Sequence, residues 1–173
     1  MMGEATMSEQ TGARPHGTYL ATVLLLLLVL PAACVGAEAA LGHGPLMALV
    51  GRWFVFWGVG VRLFLAGLRQ TFKPAFTAVA IFEIDAPAAF AIVRELGFAN
   101  LSMGALGLAS LAVGGWVASA ALVGGLYYGL AGAGHVIRPK RNTIEQIALI
   151  SDLLICALLA AFLACTFLAR TLT

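Results

Sequence analysis

Five stretches of this chain are each apolar over a length that matches the thickness of a lipid bilayer: residues 18–36, 46–70, 88–113, 116–136 and 143–169. A membrane-spanning helix needs about 20 such residues, because backbone polar groups in lipid must be satisfied within the segment itself. Hydrophobic residues make up 61% of the chain and charged residues 10%. Soluble domains carry roughly a quarter charged. With 173 residues, the five stretches leave no room for a separate soluble domain. The expected fold is therefore an all-α integral membrane helical bundle, four core helices plus a leading helix. A polar tail over 1–17 precedes one transmembrane domain over 18–173.

Punctuation between the stretches agrees with this division. The first contains the run Leu24–Leu28, and Pro31 should bend it near its far end. Val35-Gly36-Ala37 resembles a signal-peptide cleavage site. Yet the only basic residue before the apolar core is Arg14, offset by Glu4 and Glu9, so a retained span is expected. Gly42, Gly44 and Pro45 break the chain before the second span, and Lys73-Pro74 ends that span. Phe76 to Asp85 is too short to cross and reads as an interfacial helix or ordered loop. Pro87 suits the first turn of the third span, and Gly114-Gly115 marks a turn before the fourth. Gly125 and Gly129 form a GxxxG pair, expected where a neighbouring backbone approaches closely.

Charge gives an orientation. Five spans place the N-terminus and the loops around 70–87 and 137–142 on one side. That side collects Arg14, Arg69, Lys73, Arg138, Lys140 and Arg141, while the other has Arg52 and Arg170. By the positive-inside rule the basic side is cytoplasmic, which predicts a multi-pass protein of the bacterial inner membrane with a cytoplasmic N-terminus. Arg69, Lys73, Arg138, Lys140 and Arg141 are expected to be interfacial, with Arg69 snorkelling to lipid phosphate. The net charge of +2 is too small to imply nucleic acid. Cys34, Cys156 and Cys165 form no CxxC and no metal-ligand spacing, so no metal is expected. His43 and His135 fall at opposite faces and cannot share a haem. Glu38 reads as a solvated loop residue. No nucleophile–base pair or phosphate-cradling glycine loop is visible, and no catalytic residue is assigned.

Arg62 stands out inside the second span, because a guanidinium keeps its charge in lipid and must snorkel, find a partner or face a cavity. At a rise of ~1.5 Å per residue, Arg62 lies about 12 Å from its helix end, Glu95 about 10 Å and Asp152 about 13 Å. One cation between two anions at one level is the simplest arrangement. Asn100 extends the cluster toward the centre, and Tyr127 or Tyr128 can offer a hydroxyl at similar depth. The bland alternative is an Arg62–Asp152 pair that only orients helices. Buried ion pairs contribute little net stability, since desolvation offsets their attraction. Their cost in a membrane favours a use, such as a pocket or a proton path.

Gly60-Val61-Arg62-Leu63, Ala66-Gly67-Leu68, Lys73-Pro74 and Arg94-Glu95-Leu96-Gly97-Phe98 resemble an uncharacterised family of small bacterial polytopic membrane proteins. The same order is similar in outline to the DoxX group of four-helix membrane proteins. That likeness implies an association with quinone-linked redox enzymes, and it carries over Arg62 and Glu95 as pocket residues. No other cofactor is expected. The leading expectation is a non-enzymatic accessory or binding subunit. Its polar cluster of Arg62, Glu95, Asp152 and Asn100 would hold a lipophilic small molecule or a partner, with the lipid bilayer, a membrane subunit or further copies of itself as company. The alternatives are a small proton-linked transporter, disfavoured by the lack of an internal repeat, and a component of a quinone-linked oxidoreductase.

Overall fold

A computed structural model describes residues 14–172, and every regular element among them is helical. Helix α1 covers 14–40, α2 Leu46–Phe72, α3 Pro74–Ala80, α4 Pro87–Ala109, α5 Val117–Ile137 and α6 Thr143–Thr171. All but α3 are long and apolar enough to cross a bilayer. Residues 14–17, read from sequence as tail, already belong to α1, while 1–13 lie outside the described residues.

Local chemistry sets the boundaries. The loop before α2 uses Gly42 at φ 71° and Gly44 at φ 139°, conformations open to a residue without Cβ. Lys73 leaves the helical region before Pro74, which opens α3; Pro87 opens α4. Asn142 caps α6 by accepting from the Glu145 backbone N–H at 2.9 Å. Helix α4 ends at Ala109, short of the expected 113. Residues 110–113 turn and Gly114–Trp116 form a single 3-10 turn, which tightens the α4–α5 connection.

Helix α2 is the axis of the bundle, touching α1, α4, α5 and α6. Leu27, Val55, Val59, Ala120, Ala121, Ile155 and Leu159 fill the core around it. Within α2 the segment Val55–Arg62 winds as a π-helix, a wider turn that often marks functional positions.

The closest backbone approach lies between α2 and α4. A methyl at Gly67 would stand 2.7 Å from the Leu101 backbone nitrogen; one at Gly97, 2.8 Å from that of Thr71; one at Gly60, 2.9 Å from that of Leu108. The expected Gly125–Gly129 pair does not serve this purpose. Gly125 faces the Leu159 side chain at an ordinary 3.5 Å, and Gly129 makes room for the Cys156 sulfur. The reason is partner choice: α5 packs on α6, whose facing side chains are larger, whereas α4 offers its own glycines to α2.

Candidate functional site

Helices α4 and α5 touch only slightly despite being neighbours in sequence. Toward the end of the bundle where α3 lies, they leave a cavity of about 740 Å³ lined by residues from every helix. Tyr19, Val23 and Leu26 come from α1; Arg62, Ala66, Arg69 and Gln70 from α2; Leu96 and Asn100 from α4. Tyr127, Tyr128, Ala131 and His135 come from α5, Ala148 and Asp152 from α6, and Phe76 and Thr77 from α3. Drug-sized ligands occupy pockets of ~300–1,000 Å³.

Arg62 and Asp152 meet in its wall. Arg62 donates to Asp152 Oδ1 at 3.0 Å and to Ser151 Oγ at 3.2 Å. Its guanidinium lies 5.1 Å from the centroid of the Tyr128 ring, a cation–π distance. Tyr128 is itself held in place, because its hydroxyl donates to the Gly58 carbonyl in the π-helical turn. Both charged side chains are nearly enclosed, 14% exposed for Arg62 and 8% for Asp152.

Asn100 is buried in the wall of the same cavity and donates from Nδ2 to Gln70 Oε1 at 2.7 Å. Its Oδ1 is buried without a hydrogen-bond partner among the described residues. Arg69 also faces the cavity rather than only the interface, its guanidinium 4.9 Å from the Phe76 ring.

Glu95 does not join the cluster. It is exposed on α4 and contributes nothing to the cavity wall. Azimuth separates them: at about 100° per residue, Gly97 and Asn100 lie on the side of α4 that meets α2, and Glu95 points roughly the opposite way. Its neighbour Arg94 reaches the Thr71 carbonyl at the end of α2, 3.3 Å away.

Among the interfacial cations, Lys73 and Lys140 are exposed. Arg141 folds back on its own loop and donates to the carbonyls of His135, Val136 and Arg138 at 2.7, 3.1 and 2.9 Å. Arg138 turns inward to Glu145, 2.9 Å away.

Glu145 is the residue that sequence reasoning overlooked. Only two residues inside α6, it reads as an ordinary first-turn acid, yet it is 1% exposed. Its Oε1 accepts from His135 Nδ1 at 2.9 Å as well as from Arg138. Asn142 adds a second tie, donating to the Ala80 carbonyl at 3.0 Å and to Glu83 at 3.1 Å. The available signal was the Asn142-x-x-Glu145 capping pattern beside an arginine and a histidine.

At the opposite end Arg52 pairs with Glu38 at 3.3 Å, so Glu38 is not a free loop residue. A second cavity of about 680 Å³ lies there, between α2, α5 and α6. Among the described residues no group of three or more His, Cys, Asp or Glu is arranged to hold a metal ion, and the three cysteines are free.

No curated protein and no solved structure matches the chain. Residues 17–171, which include every helix that lines the cavity, match a family, and the chain belongs to it: the Family of unknown function (DUF6790).

Proposed function

We propose that this is a multi-pass membrane protein that binds a lipophilic small molecule in the α1–α6 cavity, as an accessory or binding subunit. The single observation that carries this reading is the composition of the wall. An apolar chamber of about 740 Å³ carries both an enclosed ion pair and an unsatisfied amide oxygen in its wall. Convergent polar groups in an otherwise apolar pocket are the usual mark of a ligand site. Arg62 would orient a carbonyl or hydroxyl oxygen, with Asp152 and Ser151 fixing the guanidinium. The DoxX likeness adds quinones to the candidate ligands, and a partner subunit or a second copy could share the bundle's surface. The basic end, with Arg69, Lys73, Arg138, Lys140 and Arg141, would be cytoplasmic.

Native mass spectrometry of protein purified gently from its own membranes tests this. A retained organic molecule that disappears in Ala131→Trp, which fills the cavity, is the expected result. Identical spectra for the two proteins would rule the cavity out as the site.

A second reading, proton-linked transport, draws on one observation. Asp152 and Glu145 are seven residues apart on α6, as are Tyr128 and His135 on α5, so both pairs of residues share a face along the α5–α6 seam. Proton flux into liposomes that stops in Asp152→Asn would favour it.

A further inference from the structure

The charges around the cavity do not balance. Arg62 is matched by Asp152, and Arg138 and His135 are matched by Glu145. Arg69 faces the same space with the Phe76 ring as its neighbour and no carboxylate within ion-pair distance among the described residues. A guanidinium in such a setting stays charged and gains most from a bidentate anion. Next to it in the chain, Gln70 is bonded to Asn100, whose enclosed Oδ1 still lacks a donor. The site thus lacks one anion and one hydroxyl or amide donor. The walls explain where an alkyl chain would go. Leu65 and Leu130 line the cavity and are also 46% and 74% exposed, so the space between α2 and α5 opens sideways toward the surrounding lipid.

We propose that the ligand is an anionic amphiphile, its acidic head held by Arg69 beside Asn100 and its acyl chain leaving the bundle past Leu65 and Leu130. This rests on the cavity reading above and narrows it, favouring an acid over a neutral quinone. Phosphate and carboxylate heads share the required chemistry. The hydroxyl of a glycerol-based head would supply the donor that Asn100 lacks.

The test uses the full chain, delipidated in a non-ionic detergent, titrated with oleoyl lysophosphatidate, with oleate and with uncharged monoolein. The acids should bind at least about tenfold more tightly than monoolein, the scale of one charge-assisted contact. Arg69→Gln should bring that ratio close to one, Arg69→Lys should keep part of it, and Lys73→Gln should leave it unchanged. The ratio on the unaltered chain decides the matter even where Arg69→Gln fails to fold. A ratio near one, or an equal drop in Lys73→Gln, overturns the acidic head, the latter by showing diffuse surface attraction. Displacement by inorganic phosphate at the lipid's own concentration overturns the amphiphile in favour of a free anion. Equal binding of acid and neutral probes that is lost in Ala131→Trp would remove the acidic head and leave the cavity reading intact. Binding that survives Ala131→Trp would remove both.

Discussion

The molecule holds two enclosed carboxylates on one helix, and they are kept by opposite means. Asp152 sits against Arg62 from a helix distant in sequence, in the wall of a cavity. Glu145 sits one loop away from both of its partners, His135 and Arg138, under the loop that its own helix cap stabilises. The first pair joins α2 to α6 across the bundle; the second fastens a turn and, through Asn142 and Arg138, ties that turn to residues 80–83. A local cluster at a helix start can be satisfied by short-range geometry and reach water. A cross-bundle pair in an apolar interior has no such relief. Of the two, the Arg62 site therefore carries the larger desolvation cost, which is the ground for the function proposed for it.

The largest effect should follow from Asp152→Leu, which strands a guanidinium that cannot neutralise itself. Leaving one buried charge unpaired costs about 3–5 kcal/mol. Thermal unfolding of the purified protein should register this as a large loss, well above that of Glu145→Leu, whose Arg138 partner is already one-third exposed and can turn to solvent. If Glu145→Leu proves the more damaging, the ranking of the two sites reverses. Arg62→Leu should cost less than Asp152→Leu, because a carboxyl left in apolar surroundings can take up a proton. Equal losses would show that Asp152 is held by more than its arginine. The smallest effect belongs to Asn142→Ala, a lost helix cap worth about 1 kcal/mol. Hydrogen exchange should rise at the start of α6 and at residues 80–83 together, and a rise at α6 alone would separate the loop from the connector.

Much of the fold can be read from composition, since spans, turns and prolines act locally. The ends of α2, α5 and α6 fall within a few residues of where Pro74, Gly114-Gly115 and the 138–142 loop imply. Interhelix partnership is harder. Gly125 and Gly129 carry the recognised spacing, but the glycines that meet a backbone are Gly60 and Gly67 on α2 and Gly97, Gly104 and Gly107 on α4, effective only once the two helices are side by side. Counting depth along each helix holds for Arg62 and Asp152, which do meet, but not for Glu95, because the register of α4 on α2 is set by glycine contacts. Azimuth cannot be counted, because α4 is apolar nearly all round and gives no preferred face. Glu95 misses on both counts: α4 runs antiparallel to α2 with Gly97 against Thr71 and Gly104 against Phe64, so Glu95 lies beside the end of α2 rather than level with Arg62. Glu145 was hidden for the converse reason: an acid in a first turn satisfies the helix dipole and needs no further explanation.

If the Arg62–Asp152 pair serves a ligand in the cavity, as proposed, the cohesion of the bundle should not depend on it. The most direct measurement replaces both at once, Arg62→Met with Asp152→Leu, and follows unfolding and retained ligand in the same preparation. A buried pair exchanged for apolar residues of similar size is often neutral or stabilising. The double variant should melt at or above the parent's temperature and carry no bound molecule in native mass spectrometry. A double variant that unfolds, or one that keeps the parent's ligand, would contradict the proposal.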